Sequence, residues 1–218
     1  MKSCTGGAAA VLFALAVAGG PSPAAALPVI SEVLYDAVGS DDGAVFVELY
    51  GSPGTVLDGW RVVGINGSDG ATTVSLELSG AIPADGFFVL ADRTGAGATS
   101  VANVDLLLDF DFQNGPDSIQ LLDPGQVLID ALGYGAFGAG DVFAGEGNPA
   151  VDPPAGSSLA RLFANLDLGD NALDFAPLDA PTPGVGPLSV PEPAAWASTL
   201  IGVCLAGASA LRRPARPR

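Results

Sequence analysis

The chain has 218 residues, 24 of them acidic and 8 basic, with no histidine and two cysteines. The lack of histidine excludes a Ser-His-Asp triad, a Cys-His pair and histidine-ligated zinc. The net charge of −16 disfavours nucleic acid as a partner, because a phosphate backbone attracts cations.

Residues 1–26 read as a secretory signal peptide. Lys2 gives a short basic start, residues 8–18 form an apolar run, and Ala24 and Ala26 supply the small-x-small pattern of a cleavage site. Cys4 precedes the apolar run, whereas a lipid-modified cysteine follows it, so a lipoprotein is excluded.

Residues 27–190 hold 23 acidic residues against Arg61, Arg93 and Arg161, a formal charge of −20. Solvation outside a cell accounts for such a surface, and divalent cations or basic partners are compatible with it. Neither cysteine lies in this segment, so no disulfide or thiolate metal site supports it. Gly and Pro recur every few residues, the runs between them are rich in Val, Ile, Leu and Phe, and no helical period is sustained. This pattern predicts an all-β sandwich or barrel. Strands are predicted at 29–35, 44–50, 59–63, 72–78, 86–90, 118–122 and 126–130. In the second of these, Val45, Val47 and Leu49 share one face while Phe46, Glu48 and Tyr50 share the other. Asp123-Pro124-Gly125 joins the last two as a hairpin, with Pro and Gly suited to the central positions of a type II turn.

Several polar features invite chemistry. Asn66-Gly67-Ser68 matches a glycosylation acceptor. Asp109 and Asp111 share a face of any strand, as a solvated edge or a cation site. Asp167, Asp170, Asn171 and Asp174 place four oxygen donors in eight residues, without EF-hand spacing. That quartet is either a weak calcium site or a turn whose side chains bond their own backbone. Trp60 and the phenylalanines read as core. No P-loop or well-placed Gly-x-Gly-x-x-Gly occurs.

The order of short motifs resembles the bacterial lamin tail domain. It runs Ile30-Ser31-Glu32-Val33, Phe46-Val47-Glu48-Leu49, Leu57-Asp58-Gly59-Trp60, Gly86-Phe87-Phe88-Val89-Leu90, Asn114-Gly115-Pro116-Asp117-Ser118-Ile119-Gln120-Leu121, then Val127-Leu128-Ile129-Asp130. It continues in Ser158-Leu159-Ala160-Arg161, Asp170-Asn171-Ala172-Leu173-Asp174-Phe175 and Pro181-Thr182-Pro183-Gly184. The resemblance covers residues 28–185 and implies an immunoglobulin-like β-sandwich that binds or scaffolds, with no catalytic residues to carry over.

A linker, 186–193, carries Pro191, Glu192 and Pro193, whose prolines hold an extended backbone. Residues 194–211 are uncharged; at 1.5 Å per residue they span about 27 Å, enough for a transmembrane helix. The tail 212–218, with Arg212, Arg213, Arg216 and Arg218, is predicted to stop transfer and stay cytoplasmic, leaving the domain outside. The three parts in this order resemble the PEP-CTERM sorting signal of Gram-negative bacteria. That resemblance implies passage through the secretion translocon, recognition by an exosortase, and release to the cell surface or extracellular matrix.

The expectation is a non-enzymatic surface or matrix module with an adhesive or structural role and no cofactor. Its partners would be the export machinery, then exopolysaccharide or surface proteins. The alternatives are a carboxylate-dependent polysaccharide hydrolase and a calcium-dependent matrix binder.

Overall fold

A computed structural model describes residues 26–186. The greater part of the expected signal peptide with Ala24, the Pro191–Pro193 motif, the expected transmembrane helix and the four terminal arginines lie outside the described residues. Ala26, at the expected cleavage site, begins the described chain, and its N–H donates to Ser52 Oγ at 3.0 Å.

The described chain is all-β but for one short helix. In chain order the elements are β1 (Val29–Leu34), β2 (Phe46–Tyr50), β3 (Arg61–Asn66), β4 (Thr72–Glu77), β5 (Phe87–Asp92), β6 (Leu106–Leu108), β7 (Asp117–Leu122), β8 (Leu128–Tyr134), β9 (Ser158–Arg161), α1 (Asn171–Asp174) and β10 (Phe175–Leu178). They form a six-stranded sheet in the order β10-β9-β1-β2-β5-β6 and a four-stranded sheet in the order β4-β3-β7-β8. All pairings are antiparallel except β5 with β6. Among the described residues no helix is long and apolar enough to cross a membrane.

Period-2 alternation places the core between the sheets. Val47, Leu49, Phe88 and Leu90 come from the six-stranded sheet, and Val62, Ile119, Leu121 and Leu132 from the other. Trp60 and Leu57 join them as expected of core. β1 changes phase within itself. Ile30 pairs with Leu49 and Glu32 with Glu48, so Ser31 is an extra residue, a β-bulge. The bulge lets both Ile30 and Val33 point inward and sends Glu32 outward.

The outer face of the six-stranded sheet is covered too. Leu34, Phe46, Val89 and Ala91 form a second buried cluster, with Val101 and Val104 packed on it. This outer burial is why β2 and β5 carry apolar residues on both faces.

The predicted hairpin is present, β7 pairing with β8. Its turn differs in one respect. The Gln126 N–H bonds the Asp123 carbonyl at 2.9 Å, but the left-handed residue is Gln126, at φ 64°, and not Gly125. A type II turn needs φ > 0 at its second central residue, so the turn is of another type. The Asp123 carboxylate accepts the Val127 N–H at 2.8 Å, a local bond that offsets the cost of left-handed Gln126. Asp109 and Asp111 are exposed while Phe110 and Phe112 between and beyond them are buried, so the alternation is real although β6 ends at Leu108.

Candidate functional site

Arg161 closes β9 and is 1% exposed. A buried guanidinium is costly unless every donor finds a partner. Here Nε donates to the Ile30 carbonyl at 2.9 Å and Nη1 to the Leu166 carbonyl at 3.1 Å. Nη2 reaches both oxygens of Asp130, at 3.1 and 2.9 Å. Nη1 also lies 3.4 Å from Asp174 and 3.5 Å from Asp167, and the guanidinium stacks 4.6 Å over the Phe175 ring. Asp130 Oδ2 in turn accepts the Ile30 N–H at 2.6 Å. Burial pushes the Asp130 carboxyl up, opposed by the guanidinium and the Ile30 N–H. Asp130 is on β8 and Arg161 on β9, so this pair joins the two sheets. Removing either partner alone strands the other and costs about 3–5 kcal/mol.

The four predicted calcium ligands lie beside this pair but do different work. Asp170 is the N-cap of α1: its Oδ1 accepts the Ala172 N–H at 3.1 Å, and Asn148 donates to Oδ2 at 2.7 Å, holding the carboxyl below its usual range. Asn171 is fully buried. Its amide oxygen accepts the Gly133 and Glu146 N–H groups at 2.8 and 2.9 Å, and its nitrogen donates to the Ala131 carbonyl at 2.7 Å. Both lone pairs of that oxygen are thus taken. Asp174 accepts the Leu168 N–H and pairs with Arg161. Asp167 accepts the Gly169 N–H at 2.9 Å.

Among the described residues, the acidic groups that converge are Asp130, Glu146 and Asp167, with one oxygen from each within 4.8 Å of the others. Only Asp167 belongs to the predicted quartet. Glu146 Oε2 is buried without a hydrogen-bond partner. Burial, then the nearby Asp130, pushes the Glu146 carboxyl up to about 7. A proton or a cation would each supply what this oxygen lacks.

A second constellation lies on the outer face of the six-stranded sheet. Glu32 and Glu48 are directly paired across β1 and β2, and both are fully buried. Glu32 Oε1 accepts from Ser158 Oγ at 2.6 Å and from the Thr182 N–H at 2.9 Å, and its Oε2 accepts from Thr182 Oγ1 at 2.8 Å. Glu48 Oε1 accepts from Ser31 Oγ at 2.7 Å and its Oε2 from the Gly184 N–H at 2.6 Å. The pair thereby straps the segment 181–186 across the sheet. Burial pushes Glu48 up to about 7; its hydrogen bonds oppose that, and Glu32 adds to it. A glutamate between Phe46 and Tyr50 on one strand face is the trace this covered surface leaves in the sequence.

The motif segments around Ser31-Glu32, Glu48, Ser158 and Thr182-Pro183-Gly184 therefore meet in space. No protein-family model matches the chain, and no curated protein matches it significantly.

The strap makes stability depend on pH. A folded value of about 7 against 4.5 unfolded means that the contribution of Glu48 is fully present below pH 4.5 and is lost as pH rises toward 7. At 1.36 kcal/mol per unit the loss is at most about 3 kcal/mol. Glutamine mimics the protonated acid, its carbonyl facing Gly184 and its amide facing Ser31. Urea denaturation of residues 26–186 should show Glu48→Gln with a flatter profile between pH 5 and 7.5 and stability at pH 8 no lower than wild type. Parallel profiles would show that Glu48 does not titrate there.

Proposed function

We propose that the chain is an exported, non-enzymatic surface or matrix module of a Gram-negative bacterium, built on an immunoglobulin-like sandwich of the lamin tail type. The observation that carries this reading is the order at the C-terminal end: Pro191-Glu192-Pro193, the uncharged run 194–211, then Arg212, Arg213, Arg216 and Arg218. An exosortase would take the extended Pro-Glu-Pro segment as substrate while the apolar run holds the protein at the inner membrane and the translocon has already delivered the domain outside. Two facing, almost wholly antiparallel sheets support the sandwich assignment. The meeting of the first, second and last lamin-tail-like motifs at Glu32, Glu48 and Gly184 supports it further. A binding role also suits the carboxylates: Glu32, Glu48, Asp92, Asp117, Asp130 and Asp174 are buried and hydrogen-bonded within the fold, which leaves them poorly placed to act on a substrate.

Expression in a host carrying an exosortase tests the sorting. The mature protein should have a mass lacking residues 194–218, while replacement of Pro191, Glu192 and Pro193 by alanine should leave a membrane-bound form that retains them. A wild-type protein that keeps the C-terminal run would contradict the reading. A hydrolase would instead show turnover of polysaccharide abolished by one carboxylate substitution.

The unpartnered Glu146 Oε2 favours a second reading, a calcium-dependent binder that uses Asp130, Glu146 and Asp167. A site at hundredfold excess of cation over its Kd adds about 2.7 kcal/mol. Millimolar calcium should then raise the Tm of wild type and leave Glu146→Gln unmoved; an unchanged wild-type Tm contradicts it.

A further inference from the structure

One end of the four-stranded sheet carries a polar cavity of about 430 Å³, lined by Asn66, Ser68, Gln113, Asn114, Asp117 and Asp141 among others. Its size falls within the roughly 300–1,000 Å³ of small-molecule sites. Three separate segments build it: the β3–β4 turn, the loop before β7 and the loop after β8.

Asp117 fixes the first two. It is 6% exposed; its Oδ1 accepts the Gly67 N–H at 2.7 Å and its Oδ2 the Gly115 N–H at 3.0 Å. The Gly67 carbonyl accepts the Val142 N–H at 2.7 Å, which draws in the third loop. The Gln113 carbonyl accepts from Tyr134 Oη at 2.8 Å. A Cβ at position 67 would meet the Pro116 carbonyl oxygen, so this approach requires glycine. The backbone of the cavity is therefore set by a buried carboxylate behind it, the arrangement that preorganises a binding site.

Part of its polar lining is already committed to the fold and part is not. Asn66 Oδ1 is used by the Ser68 N–H and Asp141 Oδ2 by the Gly138 N–H. That leaves Asn66 Nδ2, Ser68 Oγ, Asp141 Oδ1 and the whole carboxamides of Gln113 and Asn114 without a bond to the fold, on four exposed residues and the half-buried Asn66. Carboxamides and hydroxyls both donate and accept, which matches vicinal hydroxyl groups. Among the described residues no cation lines the cavity and two carboxylates do, so an anionic ligand is disfavoured.

We infer that this cavity is a saccharide-binding site for an uncharged, hydroxyl-rich glycan unit. The inference rests on the matrix-module reading and gives it a ligand class. Binding is measured in vitro on the full chain in a non-sugar detergent, so it stands or falls separately from the sorting result. The probes are dextran, cellohexaose and chitohexaose, with alginate as the anionic comparison, read by isothermal titration calorimetry. At least one neutral probe should bind, and the Gln113→Ala/Asn114→Ala double variant should weaken it at least tenfold at unchanged Tm, since neither side chain bonds the fold. Ser68→Trp, which fills the mouth, should do the same. Absence of binding by every neutral probe at about 10 mM, tenfold above a Kd of about 1 mM, would overturn the inference. So would binding that both variants leave intact, or alginate bound as tightly as the neutral probes through the same residues.

Discussion

The buried carboxylate that accepts hydrogen bonds from two separate segments at once is the interaction on which this fold depends. Asp92 takes the N–H groups of Gly43 and Phe110, at 2.6 and 2.9 Å. Asp117 ties the loops at Gly67 and Gly115, and Asp130, on the four-stranded sheet, holds the Ile30 N–H and the Arg161 guanidinium of the six-stranded sheet across the core. Glu32 and Glu48 do the same for the C-terminal strap. A charge-assisted hydrogen bond contributes about 1.5–3 kcal/mol, and two or three of them offset the desolvation of one carboxylate. Loops that carry no regular structure are thereby held at fixed positions without a disulfide, since residues 27–190 contain no cysteine.

Much of the sandwich was legible in the sequence because alternation reports directly on a half-buried strand. The strand beginning near Ala44 showed its inward Val47 and Leu49. Other features were legible only in part. The Asp123-Pro124-Gly125 hairpin was visible, yet the left-handed position fell on Gln126, because the Asp123 carboxylate stabilises a conformation that propensity alone assigns to glycine. The acid excess reads naturally as a solvated surface, and six of those acids are buried instead. Alternation cannot separate a solvated outer face from one covered by a returning segment, and the cover over Glu32 arrives 150 residues later in the chain.

The same limit explains the acidic cluster. Proximity in sequence grouped Asp167, Asp170, Asn171 and Asp174, but in space three of these are occupied with capping, loop bonding and ion pairing. The carboxylates that converge come from β8, the loop after it and the loop after β9, a grouping that only the packing of the two sheets creates. The strap and the polar cavity lie at different parts of the sandwich and rest on the same device. One fixes the segment that leads toward the Pro-Glu-Pro motif; the other fixes loops that face outward.

Native-state hydrogen exchange of the segment 26–186 addresses this account most directly. If buried carboxylates set the loops, the amides of Ile30, Gly43, Gly67, Phe110 and Gly184 should open only with the sheets and show protection equal to that of Val47 and Leu49. Exchange of those amides at the rates of exposed loop amides such as Asp42 and Ser68, with the strand amides still protected, would contradict it.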